Sequence, residues 1–120
     1  MKFNLILVSL IICNSCLKSI SCEEAIKSYS DLQTSMVLNE VDSYGNRIFL
    51  KGTNPKNKKE TIVFKDSGDW YIAIGKKFEI GDTVLKEKGF PVFKIIKKYE
   101  RLKLTYKCKK GIVSNKVENF

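Results

Sequence analysis

The segment Met36-Val37-Leu38-Asn39-Glu40-Val41, then Asp42-Ser43-Tyr44-Gly45-Asn46, then Arg47-Ile48-Phe49-Leu50-Lys51 decides how this chain is read. Two short runs of aliphatic and aromatic residues flank a cluster of turn formers, which is the pattern of short β-strands separated by a turn. The texture repeats downstream. Glu60-Thr61-Ile62-Val63-Phe64-Lys65 stops at the turn Asp66-Ser67-Gly68-Asp69, and Trp70-Tyr71-Ile72-Ala73-Ile74 stops at Gly75-Lys76-Lys77. Phe78-Glu79-Ile80 and Thr83-Val84-Leu85-Lys86 are separated by Gly81-Asp82, as a tight turn or bulge would separate them. Phe90-Pro91-Val92-Phe93-Lys94-Ile95-Ile96 and Leu102-Lys103-Leu104-Thr105-Tyr106-Lys107-Cys108 make a last hairpin around Tyr99-Glu100. Pro91 has no amide to donate, so it belongs at a strand start or an edge. Residues 109–120 show little periodicity and read as a loosely ordered tail over 110–120.

Six or seven short strands cannot leave many open edges without inviting aggregation. The expected fold is therefore mainly β: a small antiparallel sheet, strongly bent or partly closed into a barrel, over a single domain at 22–109. One short N-terminal helix is expected to cover one end. Ser21-Cys22-Glu23-Glu24 has the form of a capping box, and Ala25, Ile26, Tyr29 and Leu32 follow at helical spacing, which predicts a helix over 22–33.

Upstream of that helix, a positive charge at Lys2 precedes the apolar run Leu5-Ile6-Leu7-Val8-Ser9-Leu10-Ile11-Ile12 and then Cys13-Asn14-Ser15-Cys16. This is the form of an export signal, too short for a comfortable membrane span. The small Ser15 before Cys16 makes Cys16 the best lipidation site, with 1–15 as signal peptide and 16–21 as the tether to the membrane. Plain secretion is the alternative, and an uncleaved anchor a third. Once Cys13 leaves and Cys16 carries lipid, Cys22 and Cys108 remain. An oxidising compartment invites them to pair. Closing so long a loop stabilises by roughly 4–5 kcal/mol in the chain-entropy account.

Charge and composition bound the chemistry. The chain has 22 basic and 13 acidic residues, so loss of Lys2 with the signal leaves 21 against 13, a net +8. Such an excess favours anionic partners, although lysines spread from Lys51 to Lys116 also simply keep a small domain soluble. There is no histidine, which removes the commonest general base and metal ligand. Two distant cysteines do not make a metal site, and no glycine-rich phosphate loop is present. No cofactor is implied. Glu23-Glu24 suit a helix start and Asp66/Asp69 suit a turn, so catalysis by these acids or by Asp82 is the least favoured reading.

The nearest thing to a signature is Gly81-Asp82-Thr83-Val84-Leu85-Lys86 after an apolar strand. With Asn46-Arg47, Phe78-Glu79-Ile80, Lys94 and Cys108 it resembles small exported lipoproteins of Bacteroidota that carry a GD-[ST]-[VI]-x-K turn, over residues 34–108. That resemblance implies location and fold and brings no assigned activity; Phe90-Pro91 departs from it where a small polar residue is usual. A similar turn occurs in lipoyl and biotinyl carriers, but no lysine here has an acceptor lysine's neighbours. Gly81 supplies backbone freedom and Asp82 a side chain able to bond the amides that follow, which explains the pair without a ligand. Lys86 completes the motif.

Aromatic residues interleaved with lysines offer a second candidate: Trp70, Tyr71, Lys76, Lys77, Lys94, Lys97 and Lys98 as a stacking and cationic surface. The competing reading makes the aromatics core and the lysines their solvated counterpart, and the phase of Lys94 and Lys103 supports it. The export signal argues against nucleic acid. The sequence thus points to an exported, lipid-anchored, non-catalytic binding protein of the cell envelope, directed at an anionic envelope component or an acidic protein. Its alternative is an inhibitor or toxin-neutralising protein at the same place.

Overall fold

A computed structural model describes residues 21–120, so the expected signal segment, with Cys13 and Cys16, lies outside the described residues. Helix α1 spans Cys22–Ser30. Its start follows the capping rule: the Ser21 hydroxyl accepts from the Glu24 amide at 3.2 Å, with Glu23 and Glu24 in the first turn. It is shorter than the apolar spacing predicted, because Leu32 already belongs to the connection into the sheet.

Seven strands follow: β1 Thr34–Tyr44, β2 Arg47–Asn54, β3 Asn57–Ser67, β4 Thr83–Lys86, β5 Val92–Ile96, β6 Arg101–Lys109 and β7 Ile112–Asn119. They form one sheet in the order β3-β2-β1-β4-β5-β6-β7, every neighbouring pair antiparallel. The fold is mainly β, but the expected bent or closed barrel is not what forms. Closure requires the edge strands to pair, and here β3 and β7 stand at opposite ends of an open sheet. The apolar face is buried by another route, under two helices.

The second helix is a correction. Trp70-Tyr71-Ile72-Ala73-Ile74, read as a strand, forms helix α2 over Asp69–Ile74, continued by a 3₁₀ turn at Gly75–Lys77. Trp70, Tyr71 and Ile74 are buried while Ile72 and Ala73 are exposed. That is one side of a helix, not alternation along a strand. The segment carries the chain from edge strand β3 back across the sheet to β4 beside β1, and it brings its aromatic rings with it.

A second correction concerns the C-terminus. Residues 110–120, expected to be loose, contain β7. Lys110 and Gly111 both have positive φ, 53° and 77°, which makes the two-residue turn that suits a tight hairpin. The Trp70 indole also donates to Asn115 Oδ1 at 3.1 Å and fastens β7 to α2.

Alternation then sorts the side chains. Met36, Leu38, Ile48, Leu50, Phe64, Val84, Phe93, Ile95, Leu104 and Tyr106 point under the helices and join Tyr29, Trp70, Tyr71, Ile74 and Phe78 in one core. Rings of Trp70 and Phe93 lie 5.1 Å apart, and Tyr29 lies 4.6 Å from Tyr106. Cys22 and Cys108 are joined by a disulfide, with Cα atoms 5.3 Å apart, which fastens the first turn of α1 to β6. Pro91 sits immediately before β5, as its missing amide requires, and its carbonyl accepts from Tyr106 at 2.9 Å. Gly52 lies against the bulge between Leu38 and Glu40, where an added Cβ would collide with the Val37 carbonyl.

Candidate functional site

The Gly81-Asp82-Thr83-Val84-Leu85-Lys86 motif is built into the scaffold. Gly81 has φ 94°, a conformation that favours glycine. Its amide donates to the Leu38 carbonyl at 2.8 Å, and the Leu38 amide donates to the Asp82 carbonyl at 2.8 Å. Asp82 is 6% exposed and its side chain accepts from the Glu79 amide at 2.9 Å, so it staples the residues before it rather than those after it. Its other contact is the Lys97 ammonium, 2.5 Å away, which also reaches Glu79 at 2.9 Å. Burial alone would lower the Lys97 pKa; hydrogen bonds to Asp82 and Glu79 outweigh it and hold the group above its ordinary value.

Lys86 is 2% exposed, and its ammonium donates to the carbonyls of Leu32 and Glu87 at 2.9 and 2.8 Å. Burial pushes its pKa down against the opposing pull of Asp31 and Glu87. It serves as a strut between β4 and the α1–β1 connection. Asp82 and Lys86 are thus buried with partners from the scaffold, while Gly81 is exposed at its turn.

The proposed aromatic-and-lysine surface comes apart in the fold. Trp70 and Tyr71 are each 1% exposed and belong to the core. Lys76 and Lys77 are exposed beside α2 on the helical layer, Lys97 is taken by its carboxylates, and Lys98 lies in the β5–β6 turn. Lys94 alone of these is on the opposite face of the sheet.

The carboxylates of the β3–α2 turn have structural duties. The Tyr71 hydroxyl donates to Asp66 at 2.5 Å; Tyr29 and Tyr106 donate to Asp69 at 2.7 and 3.3 Å. Burial first, and then these hydrogen bonds, raise the pKa of Tyr71 and Tyr29 well above the ordinary phenol; burial and the charge of Asp69 raise that of Tyr106. Asp69 opens onto a groove of about 680 Å³ between α1, the disulfide and the β6–β7 turn. Among the described residues no group of three or more His, Cys, Asp or Glu could hold a metal ion. Nor is any described helix long and apolar enough to cross a membrane.

A different surface emerges from the register. On the face away from the helices, Leu85 lies opposite Lys94, Lys94 opposite Lys103, and Val92 opposite Thr105. Thr105 in turn faces Lys116, Ile96 faces Arg101, and Lys107 stands at the end of the row. Neither described helix covers these residues. Lys94 and Lys103, directly opposed like charges, have no carboxylate of the described residues within ion-pair distance, although Glu118 is the register partner of Lys103 on β7. They line a cleft of about 270 Å³ with Leu85, Val92, Phe90 and Glu87, and the Lys94 ammonium rests over the Phe120 ring at 5.5 Å. Sequence reasoning missed this row because it joins residues from four strands. Its only signal was the lysines falling out of phase with the apolar positions. Comparison with known protein families, curated proteins and solved structures finds no match to this chain.

Proposed function

We propose that the protein is an exported, lipid-anchored binding protein of the cell envelope that performs no catalysis and holds an acidic protein on the uncovered face of its sheet. One observation carries the reading: a cationic row on the outer face, where Lys94 and Lys103 have no ion-pair partner among the described residues and are flanked by Arg101, Lys107 and the Glu118-paired Lys116, set among half-buried Leu85, Val92 and Ile96. The aliphatic centre favours a protein over an anionic glycan, because a sugar chain offers little apolar surface to match it, whereas a protein interface combines an apolar core with a polar rim. The Cys22–Cys108 disulfide agrees with an oxidising compartment. A holding role and a neutralising role would use the same face.

Photo-cross-linking in cells tests this. A photoreactive residue at Thr105, in the outer face, is expected to capture one protein of acidic surface, and the adduct is lost when Lys94→Glu and Lys103→Glu are combined. The same probe at Ile72, exposed on the helical layer, captures nothing. Adducts to lipid or glycan, equal capture from both positions, or none at all would overturn the proposal. For the anchor, Cys16→Ser is expected to release the protein from membranes; tight retention of that variant removes the lipid from the account.

A further inference from the structure

The two edges of the sheet are unequally guarded. Along β3 stand Lys58, Lys59, Glu60 and Lys65, with Lys56 in the preceding turn, and such a density of charge discourages strand pairing. β7 has exposed Ile112, Val113 and Val117 and only two charged residues, Lys116 and Glu118. Its backbone is available for pairing. The Phe120 amide donates to Arg101 in β6 at 3.3 Å, so by alternation the amides of Asn115, Val117 and Asn119 point away from the sheet.

We propose that β7 is a self-association edge: two copies of the chain pair antiparallel through β7 about a two-fold axis at Val117. That register sets Val117 against Val117, Asn115 against Asn119, and Lys116 of each copy against Glu118 of the other. The outward-pointing residues become the hydrogen-bonded pairs. Lys116 and Glu118 fall in the closer non-hydrogen-bonded positions, where a cross-strand ion pair has its shortest reach. Lys116 and Glu118 already lie on one face, 3.5 Å apart, so the strand is its own charge complement. An antiparallel β7 pair is also isologous and closes, leaving only the lysine-rich β3 edges exposed. Since the axis runs perpendicular to the sheet, both uncovered faces look the same way.

Sedimentation equilibrium of the full chain, in a density-matched detergent, tests this with four proteins: the parent, Lys116→Glu, Glu118→Lys, and the two combined. An edge-to-edge contact is small, so the parent is expected to pass from monomer to dimer between about 5 µM and about 500 µM. Each single variant weakens association at least about tenfold, the scale of an opposed like-charge pair, and the double variant returns to about the parent value. The two single variants shift net charge in opposite directions. A shared loss therefore reports local pairing and not general repulsion. Unchanged urea midpoints establish that the fold is kept in each case. A parent that stays monomeric throughout, single variants that dimerise like the parent, or a double variant that fails to recover while remaining folded would each overturn the proposal.

Discussion

The covered and uncovered faces of the sheet obey the same alternation and end differently. On the covered face, large apolar side chains meet rings from α1 and α2, and the hydroxyls of Tyr29, Tyr71 and Tyr106 find Asp69 and Asp66 at its margin. On the uncovered face, aliphatic residues of moderate size alternate with lysines, of which Lys94 and Lys103 have no ion-pair partner among the described residues. One face uses its polar groups to fix a structure, and the other leaves them for solvent or a partner. The difference teaches that strand periodicity decides which residues share a face, while the segments that cross the sheet decide which face becomes the core.

The sharpest way to break that contrast is to empty the covered face. Trp70→Ala removes the ring between α2, Phe93 and β7, and is expected to cost about 4 kcal/mol and to release β7 by loss of the Asn115 hydrogen bond. Urea unfolding with hydrogen exchange along 112–119 measures both. Next comes the disulfide. Cys22→Ser with Cys108→Ser is expected to destabilise by about 3 kcal/mol and to loosen α1 first, read as a lower thermal midpoint. Asp82→Ala strips Lys97 of its buried partner and opens the turn that Gly81 makes, for about 2 kcal/mol.

A smaller and pH-dependent effect belongs to the tyrosines. Their pKa values are raised in the folded state, so the folded chain keeps these protons where the unfolded chain, titrating near pH 10, releases them. Their stabilisation is complete below pH 10 and is lost as pH rises beyond it. Lys97, also raised, acts in the same direction above pH 10.5, whereas Lys86, lowered by burial, costs stability while it is charged and is relieved as pH climbs toward 10.5. Tyr71→Phe is expected to cost about 1 kcal/mol at pH 7, the scale of one hydrogen bond, and to flatten the fall in urea stability between pH 10 and 11.5. An unchanged slope would remove Tyr71 from this account. Smallest of all, Lys94→Gln with Lys103→Gln changes stability by less than about 0.5 kcal/mol and removes the cross-link at Thr105. A loss of several kcal/mol would mean that the uncovered row is structural as well.

Much of the sheet was legible in the sequence because turns announce themselves locally: Gly45-Asn46 separates β1 from β2, and Tyr99-Glu100 lies between β5 and β6. Ser21 and Glu24 announced the helix start, and an even cysteine remainder announced the disulfide. What was hidden depended on tertiary partners. Trp70-Tyr71-Ile72-Ala73-Ile74 has strand-forming composition, and only its burial pattern on the sheet shows a helix. β7 has weak periodicity because one side of it is solvated, and it is held by an indole forty-five residues away in sequence. The aromatics chosen as a binding surface were the largest fully buried side chains among the described residues, while the uncovered row needed the register of β4, β5, β6 and β7 before it could be seen.

The bond between Cys22 and Cys108 also fixes how the domain answers a mechanical pull. Tension applied at the two chain ends enters at residue 22 and leaves at residue 108 through sulfur, bypassing the chain between two cysteines 86 positions apart. While that bond is intact, stretching can peel β7 from β6 but exerts no tension along α1, α2 or the first five strands.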